Sequence, residues 1–149
     1  MIRQPYPSAA DTIRLAGWSR VAVALGKIAT ASPGDGSGLD VPVPPAVVRT
    51  SRALAHVLSN ALGLPVPDGL YPLPDGEIVF EYRLPDGVIA RYIVEGEGRA
   101  QLMISYPDGR PAQFTDFAVR SDDRFRAAAV ERRRDNRQWG GLTEFDLAA

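Results

Sequence analysis

Apolar residues recur along this chain with two different periods, and the switch between them organises everything else. From about residue 9 to residue 31, Ile13, Val21, Leu25 and Ile28 return at near-helical spacing, behind Ser8 or Asp11 as the capping residue. Trp18 belongs at the edge of that stripe. Ser32-Pro33-Gly34-Asp35-Gly36-Ser37-Gly38 then carries no apolar side chain and four helix breakers, so it reads as a flexible connector. Pro44-Pro45 opens a second helix, expected over 45–62, because proline presets φ in a first turn whose N–H groups have no intrahelical partner. Its apolar face carries Val47, Leu54, Val57 or Leu58, and Ala61, and Gly63 stops it.

Between residues 77 and 117 the period falls to two. Four runs emerge, Glu77 to Leu84, Val88 to Glu95, Arg99 to Tyr106 and Arg110 to Phe117, broken by Pro85-Asp86-Gly87, Gly96-Glu97-Gly98 and Pro107-Asp108-Gly109. In a Pro-Asp-Gly corner the proline presets one turn position, the aspartate accepts local backbone hydrogen bonds, and the glycine takes the left-handed conformation that closes a hairpin. Three-residue loops throughout would set Ile78 against Val94, Phe80 against Tyr92, Tyr82 against Ala90 and Leu84 against Val88. The next hairpin would set Tyr92 against Leu102 and Ala90 against Ile104, and the last would place Ala112 beside Ile104 and Phe114 beside Leu102.

One face of this meander is then almost wholly apolar, and both helices should pack on it. The other is mixed: Glu77, Val79, Glu81 and Arg83, then Ile89, Arg91, Ile93 and Glu95, then Gln101, Met103 and Ser105, and finally Gln113, Thr115 and Phe117. Glu81 should pair with Arg91 across the strands. Beyond the sheet, Ser121-Asp122-Asp123 starts a third helix over about 122–136, rich in arginine. A tail over 138–149 carries Trp139, Leu142, Phe145 and Leu147. The expected architecture is α+β in one domain, residues 1–149: two N-terminal helices packed on a four-stranded antiparallel β-meander, followed by a C-terminal Arg-rich helix and tail.

Composition narrows the functions that this fold can carry. A formal charge of −1 gives no overall field for nucleic acid or anionic lipid. The absence of cysteine removes disulfides, thiolate catalysis and Cys-ligated zinc, and fits a reducing cytoplasm. The apolar stretch ending in Ala29-Thr30-Ala31 resembles a signal peptide, but Lys27 interrupts it and the amphipathic spacing favours a helix of the mature chain. No run of residues spans a bilayer.

Candidate chemistry is sparse. The Gly-rich connector lacks the Gly-Lys-Ser/Thr ending of a phosphate loop, and Asp35, Ser37 and Asp40 lack the later glutamate of a calcium loop. His56, the single histidine, has no nucleophile or carboxylate placed beside it and reads as a structural or exposed residue of the second helix. No metal or cofactor is expected. Glu77 and Glu95 would lie opposite one another with Arg99 next in the row, a trio able to share a proton or hold a small ligand. Arg132, Arg133, Arg134 and Arg137 form the one dense basic segment and could meet phosphates, although Asp122, Asp123, Glu131 and Asp135 interleave with the arginines there.

The sequence Tyr71-Pro72-Leu73-Pro74-Asp75-Gly76-Glu77-Ile78-Val79-Phe80-Glu81-Tyr82, preceded by Gly17-Trp18 and Pro44-Pro45, resembles a group of small bacterial α+β proteins over about residues 17–106, with Tyr82 where that group has tryptophan. The resemblance implies the fold and, for function, an accessory or antitoxin-like role without established catalysis. The residues themselves lead to the same class: a non-enzymatic interaction protein that binds a partner, or itself, through Val79, Ile89, Ile93, Met103 and Phe117 of the mixed face and Trp139 and Phe145 of the tail. The alternatives are a small-molecule or hydrolytic site at Glu77, Glu95 and Arg99, and nucleic-acid binding by the arginine helix.

Overall fold

A computed structural model describes residues 9–119. The expected C-terminal helix and tail, with Arg132, Arg133, Arg134, Arg137, Trp139 and Phe145, lie outside the described residues. Helix α1 spans Ala9–Thr30 and helix α2 spans Pro45–His56, which runs on into a single π turn, Val57–Ala61. Pro45 starts α2, and Gly63 follows the π turn in a left-handed conformation at φ 62°. Five antiparallel strands follow in simple meander order: β1 Gly69–Pro72, β2 Ile78–Arg83, β3 Ile89–Gly96, β4 Arg99–Ser105 and β5 Gln113–Ala118.

Strand β1 is the element that the alternation does not reveal. It holds four residues, bounded by glycine and containing Pro72, a composition that reads as loop. A proline is nevertheless compatible with a strand at the edge of a sheet, where one row of N–H groups faces no neighbour. β1 occupies such an edge and pairs Tyr71 with Val79 and Leu70 with Phe80.

The β2–β3 hairpin has the expected register at every pair: Ile78 with Val94, Phe80 with Tyr92, Tyr82 with Ala90, and the N–H of Leu84 donating to the carbonyl of Val88. Asp86 joins Gly87 in the left-handed region, at φ 67° and 77°, tightening the corner into a short 3-10 turn. The β3–β4 pairing also holds from Ala90–Ile104 to Tyr92–Leu102. It then shifts at a bulge between Val94 and Gly96, so that Arg99 pairs with Gly96 rather than continuing the row of Glu95.

The β4–β5 hairpin departs from expectation. Ile104 pairs with Gln113, Met103 with Phe114 and Leu102 with Thr115, one residue later than a three-residue loop would give. The cause lies beyond the turn, where Pro111 has no N–H to give a ladder and pairing begins at Gln113. Within the longer loop the Arg110 N–H donates to Asp108 Oδ1 at 3.1 Å, and the guanidinium lies 4.0 Å over the Tyr106 ring. A slip of one residue exchanges the faces of a strand. Phe117 accordingly joins the helix-covered face, edge-on to Tyr92 with ring centroids 6.0 Å apart, and Thr115 is buried with it. Phe114, expected beside Leu102 on the helix-covered face, lies instead on the other face, opposite Met103.

The core lies between the helices and one face of the sheet. Val21 and Leu25 of α1, Val47, Leu54, Val57 and Leu58 of the second helical segment, and Leu39, Val43 and Leu64 of the connectors close over Phe80, Tyr92, Leu102 and Ile104. Gly17 permits a close approach, because a Cβ there would lie 2.5 Å from Val66 Cγ1. Beside it the indole N–H of Trp18 donates to the carbonyl of Leu64 at 3.2 Å, tying α1 to the segment that leads into β1.

Candidate functional site

The face of the sheet turned away from the helices carries Tyr71 of β1, Val79, Glu81 and Arg83 of β2, Ile89, Arg91 and Ile93 of β3, Gln101 and Met103 of β4, and Phe114 and Asp116 of β5. At its centre Glu81 is only 7% exposed. Its Oε1 accepts the Tyr71 hydroxyl at 2.9 Å and Arg91 Nε at 2.9 Å, while Oε2 accepts Arg83 Nε at 3.3 Å. The expected Glu81–Arg91 pair is therefore present, with Tyr71 and Arg83 added. Burial pushes the Glu81 carboxyl upward, but the hydrogen bonds from Tyr71, Arg91 and Arg83 outweigh it and hold the group below its ordinary value. Burial pushes the Tyr71 hydroxyl up, and so does its bond to Glu81. Asp68 braces the end of this row, with its N–H donating to the Glu81 carbonyl and its Oδ2 accepting the Arg83 N–H at 2.6 Å.

Around this charged centre the apolar residues differ in exposure. Val79 is 1% exposed and lies outside the main core cluster, so it forms the floor of the face rather than a contact point. Ile89, Ile93 and Met103 are half-buried. Phe114 is 57% exposed. Of the interaction residues read from the sequence, Ile89, Ile93 and Met103 thus share one accessible surface, Val79 lies beneath it, and Phe117 belongs to the opposite face.

Glu77 and Glu95 come within electrostatic reach of one another, and the register shifts at a bulge between Val94 and Gly96, with Arg99 paired to Gly96. The Pro74-Asp75-Gly76 turn supplies the closer neighbour, with Asp75 Oδ1 accepting the Glu77 N–H at 3.2 Å. Desolvation, hydrogen bonding to Asp75 and the charges of Asp75 and Glu95 push the Glu77 carboxyl up to about 7. Among the described residues no group of three or more acidic, histidine or cysteine side chains could hold a metal ion. No helix among them is long and apolar enough to cross a membrane.

A second concave feature separates the helices. Trp18, Ala22 and Leu25 of α1 and Arg52, Ala55, His56 and Ser59 of the second helical segment line an open groove of about 230 Å³. The π turn lies at its end, where the Ser59 hydroxyl donates to the His56 carbonyl and the Asn60 amide lies 3.0 Å from His56 Nδ1. His56 is exposed there, as expected.

No family model, curated protein or solved structure matches the chain. The fold and the site chemistry therefore stand on the residues alone. Tyr71, Phe114 and Asp75 are the functional candidates that pattern reading missed. The signal for Tyr71 was present in its alternation with Gly69, and that for Phe114 in Pro111, which delays the last strand.

Proposed function

We propose that this protein is a non-enzymatic interaction domain that binds a partner protein through the open sheet face formed by Ile89, Ile93, Met103 and Phe114. The observation that carries this reading is Phe114, a phenylalanine 57% exposed on a strand of a well-paired sheet, beside half-buried Met103. An apolar anchor surrounded by polar groups is the usual anatomy of a binding patch. The patch is also interrupted by Arg83, Arg91 and Asp116, whereas obligate dimer interfaces are large and strongly apolar. A partner that associates and leaves suits it better than a permanent second copy.

The catalytic alternative has less behind it. Glu77 and Glu95 stand beside an irregular register at the bulge rather than in a regular row with Arg99, and the concavity nearest to any imidazole lies between the helices.

The test compares retained proteins on immobilised wild-type chain and on Phe114→Asp, with light scattering on both. A partner held by the wild type and lost from Phe114→Asp, with unchanged circular dichroism, is the expected result. A strictly monomeric wild type that retains nothing Phe114→Asp fails to retain would overturn the reading, and so would a homodimer broken by the substitution.

A further inference from the structure

Resting on the sheet-face reading above, we infer that the outer edge of β5 takes an extended segment of the partner protein as a further antiparallel strand, with a lysine or arginine of that segment beside Asp116. β5 is the last strand of the meander and pairs with β4 without a break from Ala118–Arg99 to Gln113–Ile104. One step further along the same register, the Val119 N–H donates to the Gly98 carbonyl at 2.8 Å. In an antiparallel ladder, pairs that exchange hydrogen bonds alternate with pairs whose backbone groups point away from one another. The N–H and C=O groups of Thr115 and Phe117 therefore point to β4, and those of Phe114, Asp116 and Ala118 point outward. Among the described residues, none of those three outward N–H groups has a hydrogen-bond acceptor.

The two edges of the sheet are built differently. β1 has four residues, ends on Pro72 with no N–H to give, and lies against α1. β5 carries no proline, lysine or bulge, the devices that guard an edge. Outward donors and acceptors at three alternate positions match the backbone of an extended chain. The side chains decide whose chain it is. Phe114, Asp116 and Ala118 all stand on the open face and all are exposed. Asp116 Oδ1 accepts the Gln101 amide at 3.2 Å, and among the described residues Asp116 has no ion pair. A second copy paired antiparallel across all three positions would set Asp116 directly against Asp116, a repulsive arrangement. A partner strand with a cation at that place and apolar residues two positions to either side complements Phe114, Asp116 and Ala118 together.

The probe is the acetylated and amidated peptide Thr-Val-Thr-Lys-Thr-Val-Thr, titrated into the full chain and followed by amide NMR and hydrogen exchange. In the chain alone, the amides of Thr115 and Phe117 should exchange slowly and those of Phe114, Asp116 and Ala118 fast. Saturating peptide should slow the latter three. Asp116→Asn should weaken binding about twofold to fivefold. Ala118→Pro removes one outward N–H while keeping Phe114 and Asp116, and should weaken it about twofold to tenfold. The same peptide N-methylated at its lysine and both valines keeps every side chain, loses the N–H groups that face β5, and should not bind. Slow exchange of the three outward amides in the chain alone, equal binding of the N-methylated peptide, or no saturation by the unmodified one would each overturn strand addition. A partner protein kept by Ala118→Pro and lost from Phe114→Asp would overturn it too, while leaving the sheet-face reading in place. Peptide protection that Phe114→Asp leaves unchanged would support the edge and remove the face reading.

Discussion

The two faces of the sheet are made of alternate residues of the same strands, and water is kept from them in different ways. On the helix side, Ile78, Phe80, Val94 and Leu102 are buried by volume, with α1, α2 and the connectors packed over them. On the other side Val79 and Glu81 are nearly as inaccessible, yet their neighbours are Tyr71, Arg83, Arg91 and Ile93 of the sheet itself. A carboxylate can sit at the middle of a face without a hydrophobic lid if three donors converge on it. The first face should therefore respond to loss of volume, and the second to loss of a partner.

The largest effect belongs to the helix side. Phe80 is fully buried, and Phe80→Ala should lower unfolding free energy by about 3–5 kcal/mol, since truncating a buried aromatic adds a cavity to the lost transfer energy. Denaturant unfolding followed by circular dichroism measures it. A loss of under about 1 kcal/mol would mean that the helices do not hold this face closed.

On the open side Glu81→Ala should cost less, about 1–3 kcal/mol, because Arg91 and Tyr71 lose their shared acceptor while remaining partly exposed to water. Tyr71→Phe removes one donor and should cost about 1 kcal/mol. The double variant should fall short of the sum of the two single losses, since both act on one oxygen. Additive losses would show that Tyr71 and Glu81 act separately and that β1 does not dock as described.

How much of this was legible in the sequence depends on how local the decisive chemistry is. Pro85-Asp86-Gly87 fixes its hairpin because everything it needs lies within the corner, and the Glu81–Arg91 pair follows from that register. Pro107-Asp108-Gly109 contains the same three residues, but Pro111 outside the corner removes a ladder donor and moves Phe114 and Phe117 to opposite faces. The bulge at Glu95 and the short edge strand with Tyr71 depend on packing between distant segments, which alternation along one strand does not encode. The helices were readable because Pro45 and Gly63 mark the second one locally. The groove between them needed the pairing of two faces, each of which looks complete alone.

The smallest effect contrasts two glutamates in one row of β2's neighbourhood. Glu81 meets Tyr71, Arg83 and Arg91 and is held below its ordinary value, whereas Glu77 meets Asp75 and Glu95 and is pushed up to about 7. A carboxyl raised in the fold stabilises it fully below its unfolded value of 4.5 and loses that contribution as pH rises through about 7. Glu81 has the opposite sign, with stabilisation present at neutral pH and lost on acidification. Glu77→Gln keeps the neutral shape and a donor toward Asp75 while removing the charge. Its melting temperature should match the wild type near pH 4.5 and exceed it modestly at pH 8, the difference opening between those values. Solvent screening at this partly exposed position keeps the gap to about 1 kcal/mol or less. Carbon-detected NMR of the Glu77 carboxyl should give a midpoint raised above its ordinary value, and a midpoint at the ordinary carboxylate value would show that Asp75 and Glu95 are solvated apart from it.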